Sequence, residues 1–352
     1  MKNTMRAIAK TNKGIGVSLI EVPAPKPKNN EVLIKIKRSA ICGTDIHFFN
    51  WTKTGQKFLA GKEFPVVIGH ELSGVIVDVG TKADENRIGQ RVSFETHPYC
   101  GECAACRIGN KHVCFHLNDY GIYRNGGFAE FKVAPENTVY VLPENVSFEQ
   151  GALYEPGGVA MYAFEDSQMN PGDGVVVYGC GYIGLMVMQI FRACGAGTVI
   201  GLDINEFRLN IAKEYADVTI NPMKEPAISI INETLSAHGG ADIIIEATGA
   251  SSVYDQIFKI ARPGASIILL GHPNDNVSIN IMDDINMKNL TIKGHYGRSI
   301  WSSWDKLNAL VSKNQIDLES TVTHTYTLSQ YQEAFEMSTK DSVKILFNHE
   351  IE

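Results

Sequence analysis

The chain has 352 residues, is 44% hydrophobic and 20% charged, and carries a formal net charge of −7 with a pI near 5.8. That length accommodates two domains of ordinary size, and the composition is that of a globular protein rather than a disordered or fibrous one. The acidic balance argues against nucleic acid as the main partner. No run of about 18 apolar residues predicts a membrane span, and the N-terminus MKNTMRAIAKTNKG lacks a signal-peptide core, so a cytoplasmic protein is expected.

The first part of the chain, to about residue 155, reads as β-rich. Val32–Lys37 largely alternates apolar and polar residues, and Val75–Val79 and Val139–Leu142 are short runs of β-branched and aromatic type. Two histidine-bearing motifs lie in it. Cys42 opens C-G-T-D-x-H, with Thr44, Asp45 and His47, and Gly69–Gly74 places His70 beside Glu71. A further acid, Glu155, stands in Tyr154–Pro156. A thiolate, an imidazole and a carboxylate hold zinc with one position open, and such a zinc is a Lewis acid that lowers the pKa of an alcohol. Cys42, His70 and Glu155 are the expected ligands. Glu71, adjoining His70, is either a fourth ligand alternating with water or a buried polar partner. Thr44 and His47 suggest a proton path from the alcohol to the surface.

Between those motifs and Glu155, four cysteines crowd into fifteen residues: Cys100, Cys103, Cys106 and Cys114, spaced C-x2-C-x2-C-x7-C. Four thiolates so close converge on one tetrahedral ion, and zinc is the usual occupant. A closed four-thiolate site leaves no position for substrate, so this zinc is structural. Disulfides and an iron–sulfur cluster are the weaker alternatives. Cys180 and Cys194 read as small buried residues.

From about residue 156 the texture becomes strand–helix alternation. Val175–Tyr178 is a strand, Ile183–Ala193 a helix, Val199–Asp203 a strand, and Arg208–Tyr215 a helix. Asp242–Glu246 and Ser266–Leu270 are further strands, with Val253, Ile257 and Ile260 on one helix face between them. This pattern predicts a doubly wound parallel sheet. Gly179-Cys-Gly-Tyr-Ile-Gly184 is a G-x-G-x-x-G between a strand and a helix, followed by an acid, Asp203, at the end of the next strand. Gly179 allows the turn, Gly181 lets the backbone approach a pyrophosphate, and Gly184 permits close packing. The helix N-terminus supplies N–H donors. Asp203 accepts ribose hydroxyls and repels a 2′-phosphate, which favours NAD over NADP despite nearby Arg208. The last stretch predicts a helix near Trp304–Ser312 and a final strand, Val343–Phe347.

The order of C-G-T-D-x-H, G-H-E-x-x-G, the cysteine lobe, Gly126–Glu130 (G-G-F-A-E) and G-x-G-x-x-G resembles that of the zinc-dependent medium-chain dehydrogenases. The resemblance implies an α/β protein with a GroES-like β-rich catalytic domain, 1–156 and 297–352, interrupted by a Rossmann domain, 157–296. It also implies two zinc ions per chain, NAD, hydride transfer from a secondary alcohol, and a homodimer or homotetramer. The expected cofactor residues are Gly179, Gly181, Tyr182, Ile183, Gly184, Asp203 and Arg208, with Thr248 and Arg298. Ala40–Trp51, Lys293–Arg298, Thr323–His324 and His97 are similar to the branch that oxidises L-threonine to 2-amino-3-oxobutanoate. On that resemblance Thr44, His97 and Glu155 surround the substrate. Gly157–Tyr162 departs from that branch, with Val159 and Tyr162 where it carries Asn and His. Polyol, sugar-alcohol and sugar-phosphate dehydrogenases share the same ligand pattern and form the alternative.

Overall fold

The structure is a computed structural model that describes residues 3–273 and 275–351. Its backbone divides into two compact units, one running to Pro156 and resuming at Leu318, the other spanning Gly157–Asp317. Helix Ser302–Val311, expected in the first domain, lies within the second unit. Glu165 of helix Tyr154–Ser167 accepts hydrogen bonds from Ser302 Oγ at 2.6 Å and Ser303 Oγ at 2.5 Å and pairs with Lys306.

The first unit is built on a seven-stranded sheet. Its strands run in the order Val322–Tyr326, Lys344–Asn348, Glu31–Ala40, Glu71–Val79, Arg91–Phe94 and Val139–Val141, with Phe131–Pro135 also paired to Glu31–Ala40. Glu31–Ala40 is long enough to serve three neighbours: Val32–Ala40 pairs with Glu71–Val79, Arg38–Ala40 with the C-terminal strand, and Glu31–Lys35 with Phe131–Pro135. Its inward residues Val32, Ile34 and Ile36 pack with Leu72, Ile76, Val92 and Phe94. A second cluster gathers Phe48, Phe128, Phe335 and Phe347, and Thr4–Lys10 forms a smaller antiparallel sheet with Ser18–Pro23 and Val66–Val67. Sequence periodicity missed the short helices here, Gly43–Phe49 among them. At seven residues that helix is too brief to show a period.

The second unit holds six strands, all parallel, ordered Val218–Ile220, Thr198–Leu202, Gly174–Tyr178, Ala241–Glu246, Ala261–Leu269 and Thr291–Gly294. Every residue of Gly174–Tyr178 and of Ala241–Glu246 is buried, as expected of strands covered on both faces. Helix Tyr182–Ala193 follows the first of these, and the chain order reverses beside it, from Gly174–Tyr178 outward to both sides. Ligands of doubly wound sheets bind at that reversal, beyond the C-terminal strand ends. Among the described residues no helix is long and apolar enough to cross a membrane.

Candidate active site and metal centres

Cys42 stands immediately before helix Gly43–Phe49, in extended conformation. Its backbone N–H donates to Asp45 Oδ2 at 3.0 Å, and the other oxygen of Asp45 accepts from Gly69 N–H at 3.1 Å. One fully buried carboxylate therefore fixes both the residue that presents Cys42 and the residue preceding His70. Gly69 has φ +86°, and a Cβ there would meet the Phe128 ring at 2.4 Å, so only glycine suits the turn. Asp45 belongs to the recognised motif, but its coupling of the two loops was not legible from spacing.

These contacts bring one ligand atom from each of Cys42, His70 and Glu71 within 4.8 Å of the others. His70 and Glu155 are each 5% exposed and Glu71 is 1% exposed. Burial pushes the His70 imidazole down, but the negative charges of Cys42, Asp45 and Glu155 outweigh it and hold His70 well above its usual range. Burial, helped by the charge of Glu155, raises the Glu71 carboxyl to about 7 against the pull of Lys344 and His70. Lys344 Nζ donates to both Glu71 oxygens, at 2.8 and 2.6 Å, and to Ile41 C=O at 3.1 Å. Glu71 is thus a paired group at the edge of the cluster. Sequence reasoning overlooked Lys344; the signal was a lysine inside the apolar strand Lys344–Asn348.

Thr44 lies in the first turn of helix Gly43–Phe49, half-buried, and His47 Nδ1 is 2.9 Å from Thr52 Oγ1. His97 is buried, and its ring Nδ1 lies 2.8 Å from Glu95 Oε1, which also accepts the His97 backbone N–H at 2.9 Å. Glu95 is wholly buried and was not anticipated.

The four cysteines form the second cluster. Their sulfurs lie 3.9 Å (Cys100 to Cys106), 3.8 Å (Cys103 to Cys114) and 3.5 Å (Cys100 to Cys114) apart. A zinc with four thiolates at about 2.3 Å sets its sulfurs about 3.8 Å apart, so this donor set fits the ion. Backbone N–H groups of Cys103 and His116 point at Cys100 Sγ and Cys114 Sγ, at 3.3 and 3.4 Å. Backbone donors at Phe115 and Cys106 lower the Cys103 thiol to about 6, whereas burial pushes the Cys106 thiol up to about 12, so the thiol cluster shares its protons unevenly.

In the second unit the dinucleotide fingerprint is well formed. Gly179 takes φ +98°, and a Cβ on Gly184 would meet Gly179 C=O at 1.8 Å, whereas a Cβ on Gly181 would meet nothing within 4 Å. Gly181 thus faces open space at the N-terminus of helix Tyr182–Ala193, where Tyr182 and Ile183 lie in the first turn. Asp203 accepts from Cys180 N–H at 2.8 Å and Asn205 N–H at 2.9 Å, which aims its carboxylate beside the glycine turn. The charge of Arg208 reaches the Cys180 thiol. Thr248 stands beside Gly179, whose Cβ would lie 3.1 Å from its methyl. Arg298 is 1% exposed, packed on Gly158 and 6.0 Å from the Trp304 ring centroid. The departing segment also finds a partner there: Tyr162 lies against the His295 ring, centroids 4.3 Å apart.

Comparison with known proteins agrees with this geometry. A family described as "Alcohol dehydrogenase GroES-like domain" matches residues 28–144, and "Zinc-binding dehydrogenase" matches 183–313. The L-threonine 3-dehydrogenase of Bacillus subtilis (strain 168) is 36% identical over 334 residues, 95% of each chain. An alcohol dehydrogenase of Escherichia coli CFT073, solved with NADH, is similar at 30% identity and TM-score 0.89, covering 99% of this chain and 100% of that one. The galactitol-1-phosphate dehydrogenase of Escherichia coli is similar at 27% identity and TM-score 0.89, over 98% of this chain and 100% of that one. With both domain families matched in order and full-length relatives above 30% identity, the chain belongs to the zinc-dependent medium-chain alcohol dehydrogenases.

Proposed function

We propose that this oxidoreductase transfers a hydride from a secondary alcohol to NAD, with L-threonine as the substrate and 2-amino-3-oxobutanoate as the product. One observation carries the chemistry: Cys42, His70 and Glu71 hold ligand atoms within 4.8 Å of one another, and the charges of Asp45 and Glu155 also reach His70, a donor set that suits a divalent cation. Glu71 is engaged by Lys344, and Glu155 is the proposed third ligand, with Glu71 alternating with water as a fourth. Zinc held there supplies a Lewis acid and NAD supplies the hydride acceptor. The Thr44 hydroxyl would accept the substrate's hydroxyl proton as it gives its own to a cofactor ribose hydroxyl, and His47 would release the proton to solvent. His97, oriented by Glu95, and Glu155 hold the amino-acid head. Asp203 selects NAD by accepting ribose hydroxyls.

The threonine assignment is supported by full-length similarity to L-threonine 3-dehydrogenases. A polyol or sugar phosphate is the second reading, favoured by the Val159 and Tyr162 departures and the likeness to a galactitol-1-phosphate dehydrogenase. The enzyme works in the cytoplasm as two or four copies. The support for assembly is strand Thr291–Gly294, which ends the parallel sheet, is mostly exposed, and among the described residues pairs with a strand on one side alone. The decisive experiment presents L-threonine, polyols and sugar phosphates with NAD and with NADP while following reduced-cofactor absorbance. Faster turnover of a polyol or sugar phosphate than of L-threonine overturns the substrate and leaves the reaction class.

A further inference from the structure

Glu246 ends the central strand Ala241–Glu246 and is wholly buried. Its Oε1 accepts three hydrogen bonds from the turn that follows: Thr248 N–H at 2.7 Å, Thr248 Oγ1–H at 2.5 Å and Gly249 N–H at 2.9 Å. Oε2 has no partner at all. A buried carboxylate with one orphaned oxygen carries a desolvation cost. A core residue chosen for stability alone would not carry that cost. Charge-assisted bonds to three donors are the compensation, and they stiffen one short turn.

That turn lies against the dinucleotide loop. The Thr248 methyl and the Ala247 carbonyl sit where a Cβ on Gly179 would meet them, at 3.1 and 3.2 Å. Ala247 N–H donates to Tyr178 C=O at 2.9 Å, tying the turn to the strand that leads into Gly179. On the other side the turn is equally confined. A Cβ on Gly271 would reach Glu246 Oε2 at 2.4 Å and Gly249 N at 2.2 Å, and Leu270 and Gly271 both donate to Glu246 C=O. Thr248 is exposed, yet its polar donors are spent inside the protein: backbone N–H and hydroxyl both donate to Glu246, and the hydroxyl oxygen accepts from Ala250 N–H at 2.9 Å. Thr248 therefore offers a ligand its methyl and its carbonyl rather than a hydroxyl donor.

We propose that Glu246 is a positioning residue for dinucleotide binding, holding the Ala247–Gly249 turn as a rigid wall beside Gly179 without touching the cofactor. The inference rests on the NAD reading of the Gly179–Gly184 loop. The three donors converge on one oxygen, so an amide can still accept them, though without charge. It would also place an –NH2 at the buried position of Oε2, which has no hydrogen-bond partner. The affinity order for NADH is therefore wild type, then Glu246→Gln, then Glu246→Ala.

The test is equilibrium titration of NADH fluorescence on zinc-loaded wild-type and variant protein, with metal content and thermal unfolding recorded in parallel. Glu246→Ala raises the NADH Kd by about tenfold or more, on the scale of losing a buried charge-assisted contact. Glu246→Gln falls between, and the loss in turnover sits in KM for NAD more than in kcat. Thr248→Val, which keeps the branched side chain and removes the hydroxyl donor, raises Kd by about threefold and remains informative if Glu246→Ala does not fold. A purely structural role lowers the unfolding temperature without moving Kd. Variants that bind NADH as tightly as a binding-competent wild type overturn the inference alone. A wild type that binds no NADH overturns the dinucleotide reading and the inference with it.

Discussion

Lys344 and Glu71, 273 residues apart in sequence, form a buried ion pair in which one ammonium bonds both carboxylate oxygens, at 2.8 and 2.6 Å. Their side chains are 4% and 1% exposed. The pair ties strand Lys344–Asn348 to the strand that begins beside His70, so it helps to set the candidate metal cluster. Removing one partner leaves a buried charge without compensation. Lys344→Met is expected to destabilise the first unit by about 3 kcal/mol. Combining it with Glu71→Gln should cost less than the sum of the single changes. Urea unfolding of the four proteins in the cycle checks this, and strict additivity would count against the pair.

Metal content should be two zinc ions per chain. Cys42→Ser is expected to lower it to one while the protein remains folded, because the cysteine lobe is independent of Cys42. Cys106→Ser removes the other ion and disorders the lobe, since Cys106 is a buried member of that cluster. Elemental analysis beside circular dichroism distinguishes the two outcomes. A fully active enzyme with one zinc contradicts the assignment.

We expect cofactor choice to turn on Asp203. Its carboxylate is held by Cys180 and Asn205 N–H groups, so Asp203→Ala removes a ribose acceptor and a charge opposed to a 2′-phosphate. The ratio of kcat/KM for NAD to that for NADP should fall by roughly tenfold or more. A wild type that already prefers NADP refutes the role given to Asp203.

Substrate affinity should depend on His97 without involving metal. On the proposed reading, His97→Ala removes a polar contact to the substrate and the imidazole beside buried Glu95. The expected loss is about 1–3 kcal/mol, or roughly tenfold to a hundredfold in kcat/KM for L-threonine. Zinc content stays at the wild-type value. Steady-state kinetics with L-threonine, compared with a simple secondary alcohol lacking the amino-acid head, separates a substrate contact from a general defect.

Stability should fall in acid through His349. Burial and the nearby charges of Arg38 and Arg6 push its imidazole down to about 3, against a backbone hydrogen bond at Ala129 that raises it. Between about 6.5 and about 3 the unfolded chain binds a proton that the folded chain refuses, so stability drops as pH falls through that window, at most about 1.4 kcal/mol per pH unit. Ser39 Oγ lies 2.8 Å from Nε2 of the neutral ring. His349→Gln should flatten this slope in chemical denaturation measured at several pH values. An unchanged slope assigns the acid sensitivity to other groups.

Local chemistry was legible in the sequence because its partners are neighbours along the chain. Four thiolates within fifteen residues point to one shared ion, and Gly179, Gly181 and Gly184 between a buried strand and a helix point to a dinucleotide turn. The same holds for the strand–helix alternation, since burial on both faces writes itself as runs such as Gly174–Tyr178. The boundary at 317 was not legible, because Glu165, Ser302 and Lys306 carry no shared local pattern. Nor were the roles of Asp45, Glu95, Glu246 and Lys344. Each depends on which backbone N–H or charge lies across a gap in sequence, from Asp45 to Gly69 or Lys344 to Glu71. Composition and periodicity report how a residue is buried, whereas the partner that makes its burial tolerable is decided only when the strands are paired.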